Sequence, residues 1–185
     1  MQADLLEAVI HYALLEAPTG DWIGIAADRQ RVVRIAPRTS EKALRRELAV
    51  RFPFASLQPK TCAVLEAALR QLCEYLEGRR RAFELPVRLS GTPFQMRVWR
   101  ALQRIPYGET RSYGEVARMV GGPGAARAVG AANGANPVAI VVPCHRVIQS
   151  DGRLGGYGGG RRIKQFLLDL ERRVSAACGP RPESR

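Results

Sequence analysis

The stretch "SYGEVARMVGGPGAARAVGAANGA", residues 112–135, decides how the second half of this chain folds. "SYGEVARMV" reads as a short helix, "GGPG" breaks it, and "AARAVGAANGA" begins another. Helix, glycine-rich turn, helix is the pattern of a helix-turn-helix. The second helix is almost all alanine and glycine. A major-groove reader needs long polar side chains at the base edges, and this helix offers Arg127, Asn133 and little else. Small residues let a helix backbone approach a partner closely. Two readings follow: a tightly packed internal helix, or a helix pressed into a DNA groove that grips backbone without reading sequence.

Upstream, "PFQMRVWRALQRI" is amphipathic and helical, and "PYGET" is a turn. Downstream comes "NPVAIVVPCHRVIQSDGRLGGYGGG". Residues 138–142 form a short buried segment that delivers Cys144. Five of the six residues 155–160 are glycine, with Tyr157 among them. Such a loop can bring backbone N–H groups close to a ligand, or it is a plain surface loop. "RIKQFLLDLE" closes the domain as an amphipathic helix, and residues 175–185 read as a disordered tail.

The first half has another character. "VIHYALLEA", "DWIGIAAD" and "RVVRIAP" are short apolar segments separated by "PTG" and "DRQ", the pattern of an antiparallel meander. "SEKALRRELAVRF" has Ser40 at the N-cap and leucines at helical spacing. "KTCAVLEAALRQLCEYLEG" is a stronger helix, ended by Gly78, with Cys62 and Cys73 as small buried apolar groups. "AFELPVRLSG" reads as a final strand and a linker. The expected organisation is an α/β domain over residues 1–88, with an antiparallel sheet and helices, and a mainly helical domain over residues 92–174.

The chain has 185 residues, a 46% apolar content and a net charge of +12. That composition supports a packed core. The charge is uneven: 14 basic and 11 acidic residues over 1–88, but 13 and 5 over 89–174. A basic second half suits a nucleic-acid binder and equally a soluble basic surface. All basic residues but Lys42, Lys60 and Lys164 are arginine, which suits phosphate contacts or reflects codon usage. Four scattered cysteines with two histidines make a zinc site unexpected. The beginning, "MQADLLEAVI", lacks the marks of a signal peptide, and no apolar run reaches membrane-span length. A soluble, intracellular protein with reduced thiols is expected.

In "VVPCHRVI", residues 141–148, Cys144 stands beside His145, one of the two histidines. Neighbours in an extended segment point to opposite sides, so the two side chains need a water between them to communicate. A free thiol, with a pKa of about 8.5, reacts well only when its thiolate is favoured. An imidazole can take the proton, and a carboxylate can orient the imidazole. His145 is the local base, and Glu171 and Asp169 are both candidate orienters. Cysteine peptidases place cysteine and histidine far apart in sequence, so the adjacency fits them poorly. Taken alone, the dipeptide is most simply a structural cysteine.

The flanks change that reading. "NPVAIVVPCHRVI", with "RSYGEVA" and "ARAVG" upstream and "GGYGGG" and "KQFLLDLE" downstream, resembles the O6-alkylguanine-DNA alkyltransferases, also called methylated-DNA–protein-cysteine methyltransferases. The resemblance runs from about residue 92 to residue 171 and is looser over residues 1–88. It implies a ribonuclease-H-like first domain and a second domain with a winged-helix-like helix-turn-helix. It implies suicidal, single-turnover DNA repair without cofactor or metal, in which Cys144 takes the alkyl group from O6 of guanine (or O4 of thymine). His145 then matches the residue that deprotonates the cysteine through water, and Glu171 the carboxylate that holds it. Asn136 matches an asparagine that braces the turns. Tyr113 matches a tyrosine bonding the guanine ring nitrogen on the sugar-edge side, with the Gly158 N–H facing O6. The Cys144 and Val147 carbonyls accept from the exocyclic amine, and Tyr157 walls the pocket. Arg127 matches an arginine that fills the space left by a flipped base. The implied partner is double-stranded DNA, held in its minor groove by the second helix, with the protein a monomer that is able to bind cooperatively. Gly158 stands where some members carry a larger residue, and Ala139 leaves room for groups beyond methyl. A damage-recognition protein without transfer and a Cys-His thiol hydrolase are the competing readings.

Overall fold

The computed structural model describes residues 8–177. Cys178, the rest of the expected tail and most of the beginning read for a signal peptide lie outside the described residues.

The meander forms as expected. Strands β1 (Val9–Glu16), β2 (Trp22–Ala27) and β3 (Val32–Pro37) pair antiparallel, with Leu14 opposite Gly24 and Ile25 opposite Ile35. Strand alternation sends side chains to both faces, and both faces are covered. Helix α1 (Glu41–Arg51) starts at Ser40, whose hydroxyl accepts from the Ala43 N–H at 3.3 Å. Its Leu44 and Leu48 pack on Ile10, Tyr12, Ala26 and Val33. Helix α2 (Ala63–Leu76) covers the other face, with Leu65, Ala68, Leu72 and Tyr75 against Ile23, Ile25 and Ile35. This explains why β2 is almost continuously apolar: it is buried from both sides.

Two expectations for the first half change. A fourth strand, β4 (Ser56–Gln58), joins β1 in parallel, giving the order β3-β2-β1-β4. Its three residues are too few to show an alternation. "AFELPVRLSG" is not a full strand. Only Val87 bridges to Val32, through Val32 N–H to Pro86 O and Arg88 N–H to Val32 O, both 2.8 Å. Pro86 has no N–H with which to extend the ladder.

The second half holds helix α3 (Pro93–Leu102), then α4 (Tyr113–Met119) and α5 (Ala126–Gly134), which are the helix-turn-helix, and finally α6 (Gly160–Ala176). Thr92 and Gln95 cap α3 reciprocally, and Ser112 and Glu115 do the same for α4. Val98, Trp99, Leu102, Val116, Val129 and Ala132 form one core that extends to Cys144 and Val147. The Trp99 indole N–H donates to Ala132 O at 2.8 Å and ties α3 to α5. Two-residue strands β5 (Arg111–Ser112) and β6 (Val147–Ile148) pair in parallel beside it. Helix α6 runs through residue 176, so the expected disorder is wrong for residues 175 and 176.

The expected fold class stands: an α/β domain followed by a mainly helical one. The halves share a seam. Ile35 N–H donates to Pro137 O at 3.0 Å and Ala139 N–H to Ile35 O at 3.3 Å, so residues 137–139 continue the edge of the first half's sheet. Val138, Ile140, Ile163 and Leu167 are buried in the α2 core.

Candidate active site

Cys144 is 3% exposed and opens a 3₁₀ turn, Cys144–Arg146, capped by Pro143. The dipeptide is therefore not extended, as the sequence suggested. A 3₁₀ turn has three residues per turn, so the two side chains diverge by about 120° rather than 180°.

Asn136 braces the approach to this turn. Its amide donates to Val142 O at 2.8 Å and its carbonyl accepts from Val138 N–H at 3.0 Å. The same loop holds Ile140 at φ 75°, a left-handed conformation that costs a side-chain-bearing residue about 1–2 kcal/mol. Burial pushes the Cys144 thiol up, against the Asn136 side chain, the Lys164 charge and the N–H groups of Cys144 and Ile140. The resting group is thus a thiol and needs a base.

His145 is completely buried, and its Nε2 lies 2.7 Å from Glu171 Oε1. A carboxylate only accepts, so Nε2 carries the proton and Nδ1 is an acceptor. Nδ1 has no partner among the described residues. Burial pulls His145 down, against the pull of Glu171, so it is neutral near pH 7. Of the two candidate carboxylates it is Glu171 that bonds the His145 ring; Asp169 is half-exposed and accepts from Gln165 at 2.8 Å.

Glu171, completely buried on α6, also accepts from the Gly108 N–H at 2.8 Å and from Arg146 Nε and Nη2 at 3.0 Å. Burial pushes its carboxyl up, but the His145 hydrogen bond and Arg146 outweigh that and hold it at about 2. Since His145 is neutral, Arg146 is the standing counter-ion. The Arg146 Nη1 donates to Ile105 O at 2.6 Å.

Three participants escaped the sequence reading. Arg146 looked like a mere flanking residue. Tyr75, from α2, donates to Glu171 Oε1 and lies 3.3 Å from His145 Nε2. Lys164, also buried, donates to Val147 O at 2.6 Å, to Leu154 O, and to Gly156 O at 3.4 Å. Burial lowers it to about 8, with Cys144 opposing. Lys164 thereby pins the glycine loop to the turn after Cys144. A signal for it existed: Lys164 and Glu171 interrupt the apolar stripe of α6 formed by Ile163, Leu167, Leu168 and Leu170.

Tyr113, Gly130, Asn133, Gly134, Gly156, Tyr157 and Gly158 enclose a cavity of about 290 Å³, near the lower end of small-ligand pockets. The Tyr113 hydroxyl donates to Gly156 O at 3.3 Å. Both tyrosines are pushed up, by burial first and then by Cys144, which places the sulfur in electrostatic reach of the cavity. A side chain at Gly158 would meet open space. The Cys144 carbonyl already accepts from Asn133 at 3.1 Å, as Val147 O does from Lys164. Arg127 stands apart, exposed on α5, with no hydrogen bond or ion pair among the described residues. A larger cavity, about 930 Å³, is lined by Tyr107, Pro143 and Arg146 but by none of Cys144, Tyr113 and Tyr157. The smaller one is the candidate site because Tyr113 and Tyr157 line it and its wall residue Asn133 is bonded to the Cys144 carbonyl, although Cys144 itself is not in its lining.

A helix-turn-helix beside a buried cysteine, histidine and carboxylate, under a base-sized cavity, defines a nucleic-acid-directed cysteine transferase. Comparison with known proteins agrees. The 6-O-methylguanine DNA methyltransferase family matches in two parts, its ribonuclease-like domain at residues 10–89 and its DNA-binding domain at residues 93–173. The methylated-DNA–protein-cysteine methyltransferase of Methanosarcina acetivorans is 42% identical over 162 residues, 88% of this chain and 98% of that one. The enzyme of Mycolicibacterium paratuberculosis is 64% identical over 110 residues, 60% of this chain and 67% of that one. The crystal structure of Mycobacterium tuberculosis OGT in complex with DNA superposes with a TM-score of 0.75 at 44% identity, covering 89% of this chain and 94% of that one. The chain belongs to the methylated-DNA–protein-cysteine methyltransferase family, whose reaction is alkyl transfer from DNA to a protein cysteine.

Proposed function

We propose that Cys144 is the alkyl acceptor and that it reacts once. A water passes the Cys144 proton to His145 Nδ1, while Nε2–H stays on Glu171. The thiolate attacks the alkyl carbon on O6 of a flipped guanine. An S–C bond forms, the C–O bond breaks, and the electron pair goes to the purine. Tyr113 meets that charge at the ring nitrogen, with the Gly158 N–H at O6, as preset donors. The thioether regenerates no thiolate. The observation that carries this reading is the His145 ring, with Nε2 committed to Glu171 and Nδ1 open, one residue from a buried thiol.

The partner is duplex DNA. The exposed face of α5 presents Arg127, Ala128, Ala131 and Gly134. Three small residues allow close approach to a minor groove, and Arg127 is placed to fill the gap of the flipped base. This arrangement favours little sequence preference, as repair of scattered lesions requires. The protein acts as a monomer wherever the cell keeps its DNA. The two domains divide between residues 88 and 92.

The test is intact mass with peptide mapping after mixing the protein with a duplex holding one O6-methylguanine. One added methylene on the Cys144 peptide, stopping at one equivalent and absent in Cys144→Ser, is the expected result. Tight lesion binding without mass gain would make the protein a recognition module and end the roles given to Cys144 and His145.

A further inference from the structure

We infer that Tyr75 is a positioning residue of the proton relay, through which the first half of the chain sets the ring and proton of His145. The inference rests on the reading of Cys144 and His145 given above.

Tyr75 is completely buried in α2. Its ring packs on Phe83 at 5.0 Å and edge-on against Tyr107 at 5.8 Å and 87°. Packing alone is satisfied by phenylalanine. The hydroxyl does something else: it donates to Glu171 Oε1, the same oxygen that holds His145 Nε2, and it lies 3.3 Å from that nitrogen. Oxygen, ring nitrogen and hydroxyl thus form one triangle. The donated proton spreads the carboxylate charge and keeps Glu171 from swinging off the imidazole. The other charged or titratable groups around His145 are Cys144 and Arg146 on its own turn and Lys164 and Glu171 on α6. Tyr107 lies behind Tyr75. Among the described residues, only Tyr75 reaches this network from the first half.

Tyr75→Phe keeps the ring and removes only the hydroxyl. Glu171 then concentrates its charge on the imidazole, and protonated His145 becomes more favourable. The acidic limb of the pH–rate profile, where the rate rises as His145 loses its proton, should move up by about half a unit. The maximal transfer rate should fall roughly tenfold, the loss of about one hydrogen bond to a charged group. The experiment measures methyl transfer from an O6-methylguanine duplex between pH 5 and 8 for both proteins, with nitrogen-15 NMR titration of the His145 ring. A raised midpoint in both readouts establishes the role. A midpoint at the wild-type pH, whatever happens to the melting temperature, means that Tyr75 only packs. If the wild-type protein takes up no methyl group, the Cys144 reading fails by itself, and the NMR titration still decides the role of Tyr75.

Discussion

Arg146 and Glu171 form a buried ion pair, and its coupling is measurable. Glu171→Gln keeps the shape and removes the charge. Arg146, only slightly exposed, then faces His145, Tyr75 and a neutral amide with no counter-ion. Breaking a buried pair from one side costs about 3–5 kcal/mol. For a chain of this size that lowers the melting temperature by roughly 6–20 °C. Arg146→Met leaves the opposite problem, a buried carboxylate that keeps only the bonds from His145, Tyr75 and Gly108. The double variant leaves neither member's charge buried without its partner, and its main remaining loss is the donor to Ile105 O. It should therefore cost about 2–3 kcal/mol less than the sum of the two single variants. The assay is urea unfolding at pH 7, followed by circular dichroism and by the fluorescence of buried Trp99. Single costs that add to within about 0.5 kcal/mol would refute the claim that Arg146 is the standing counter-ion of Glu171.

Stability should fall on acidification in two stages. His145 is pulled below its ordinary value by burial, so below about pH 6.5 the unfolded chain takes a proton that the folded one refuses. Glu171, held against burial well below its ordinary value by the His145 hydrogen bond and Arg146, contributes stability above its unfolded pKa that is lost as pH falls below about 4.5. A urea midpoint that stays flat from pH 6.5 to 4 contradicts the His145 part. Arg127→Ala should leave stability within about 0.5 kcal/mol while slowing transfer from duplex at least severalfold and sparing a free alkylated base; equal slowing on both substrates removes Arg127 from the duplex. Ala131→Leu, on the exposed face of α5, should weaken DNA binding in an anisotropy titration without loss of stability, and unchanged affinity argues against close groove approach. Methylated Cys144 adds a group to a packed site, at about 1–3 kcal/mol, so a thermal melt after reaction should begin earlier than before it.

The elements whose signal is local were legible. The meander, the Ser40 cap, the two main helices of the first half and the helix-turn-helix each announce themselves within ten to twenty residues. β4 was not, because three residues carry no period. "AFELPVRLSG" misled because its apolar residues serve packing, while Pro86 denies it a ladder. The site divides in the same way. Cys144, His145 and Glu171 share motifs, and the choice between Glu171 and Asp169 is one of helix face: position 171 continues the buried stripe of α6, and position 169 does not. Tyr75 sits on the apolar stripe of α2 with Leu65, Ala68 and Leu72, where sequence shows only core. Its hydroxyl gains a role through a partner 96 residues away, a contact that no local pattern encodes.

The turn at Cys144 shows how that non-local packing makes the chemistry. A continued strand would have sent cysteine and histidine to opposite faces, one toward the cavity and the other away into the α2 core. The 3₁₀ turn brings them to about 120°, the arrangement on which the proposed water relay between them depends. That geometry is held from two sides. Asn136 and the edge of β3 fix residues 136–142 before the turn, with Ile140 kept in a costly conformation. Lys164 clamps Val147 and the glycine loop after it. Both clamps draw on the seam between the halves, since residues 137–139 lie on the first half's sheet and the α6 residues flanking Lys164 pack in the α2 core. A second half severed from the first would keep Cys144, His145 and Glu171 in its sequence but lose Tyr75 and the edge strand that together set their angles.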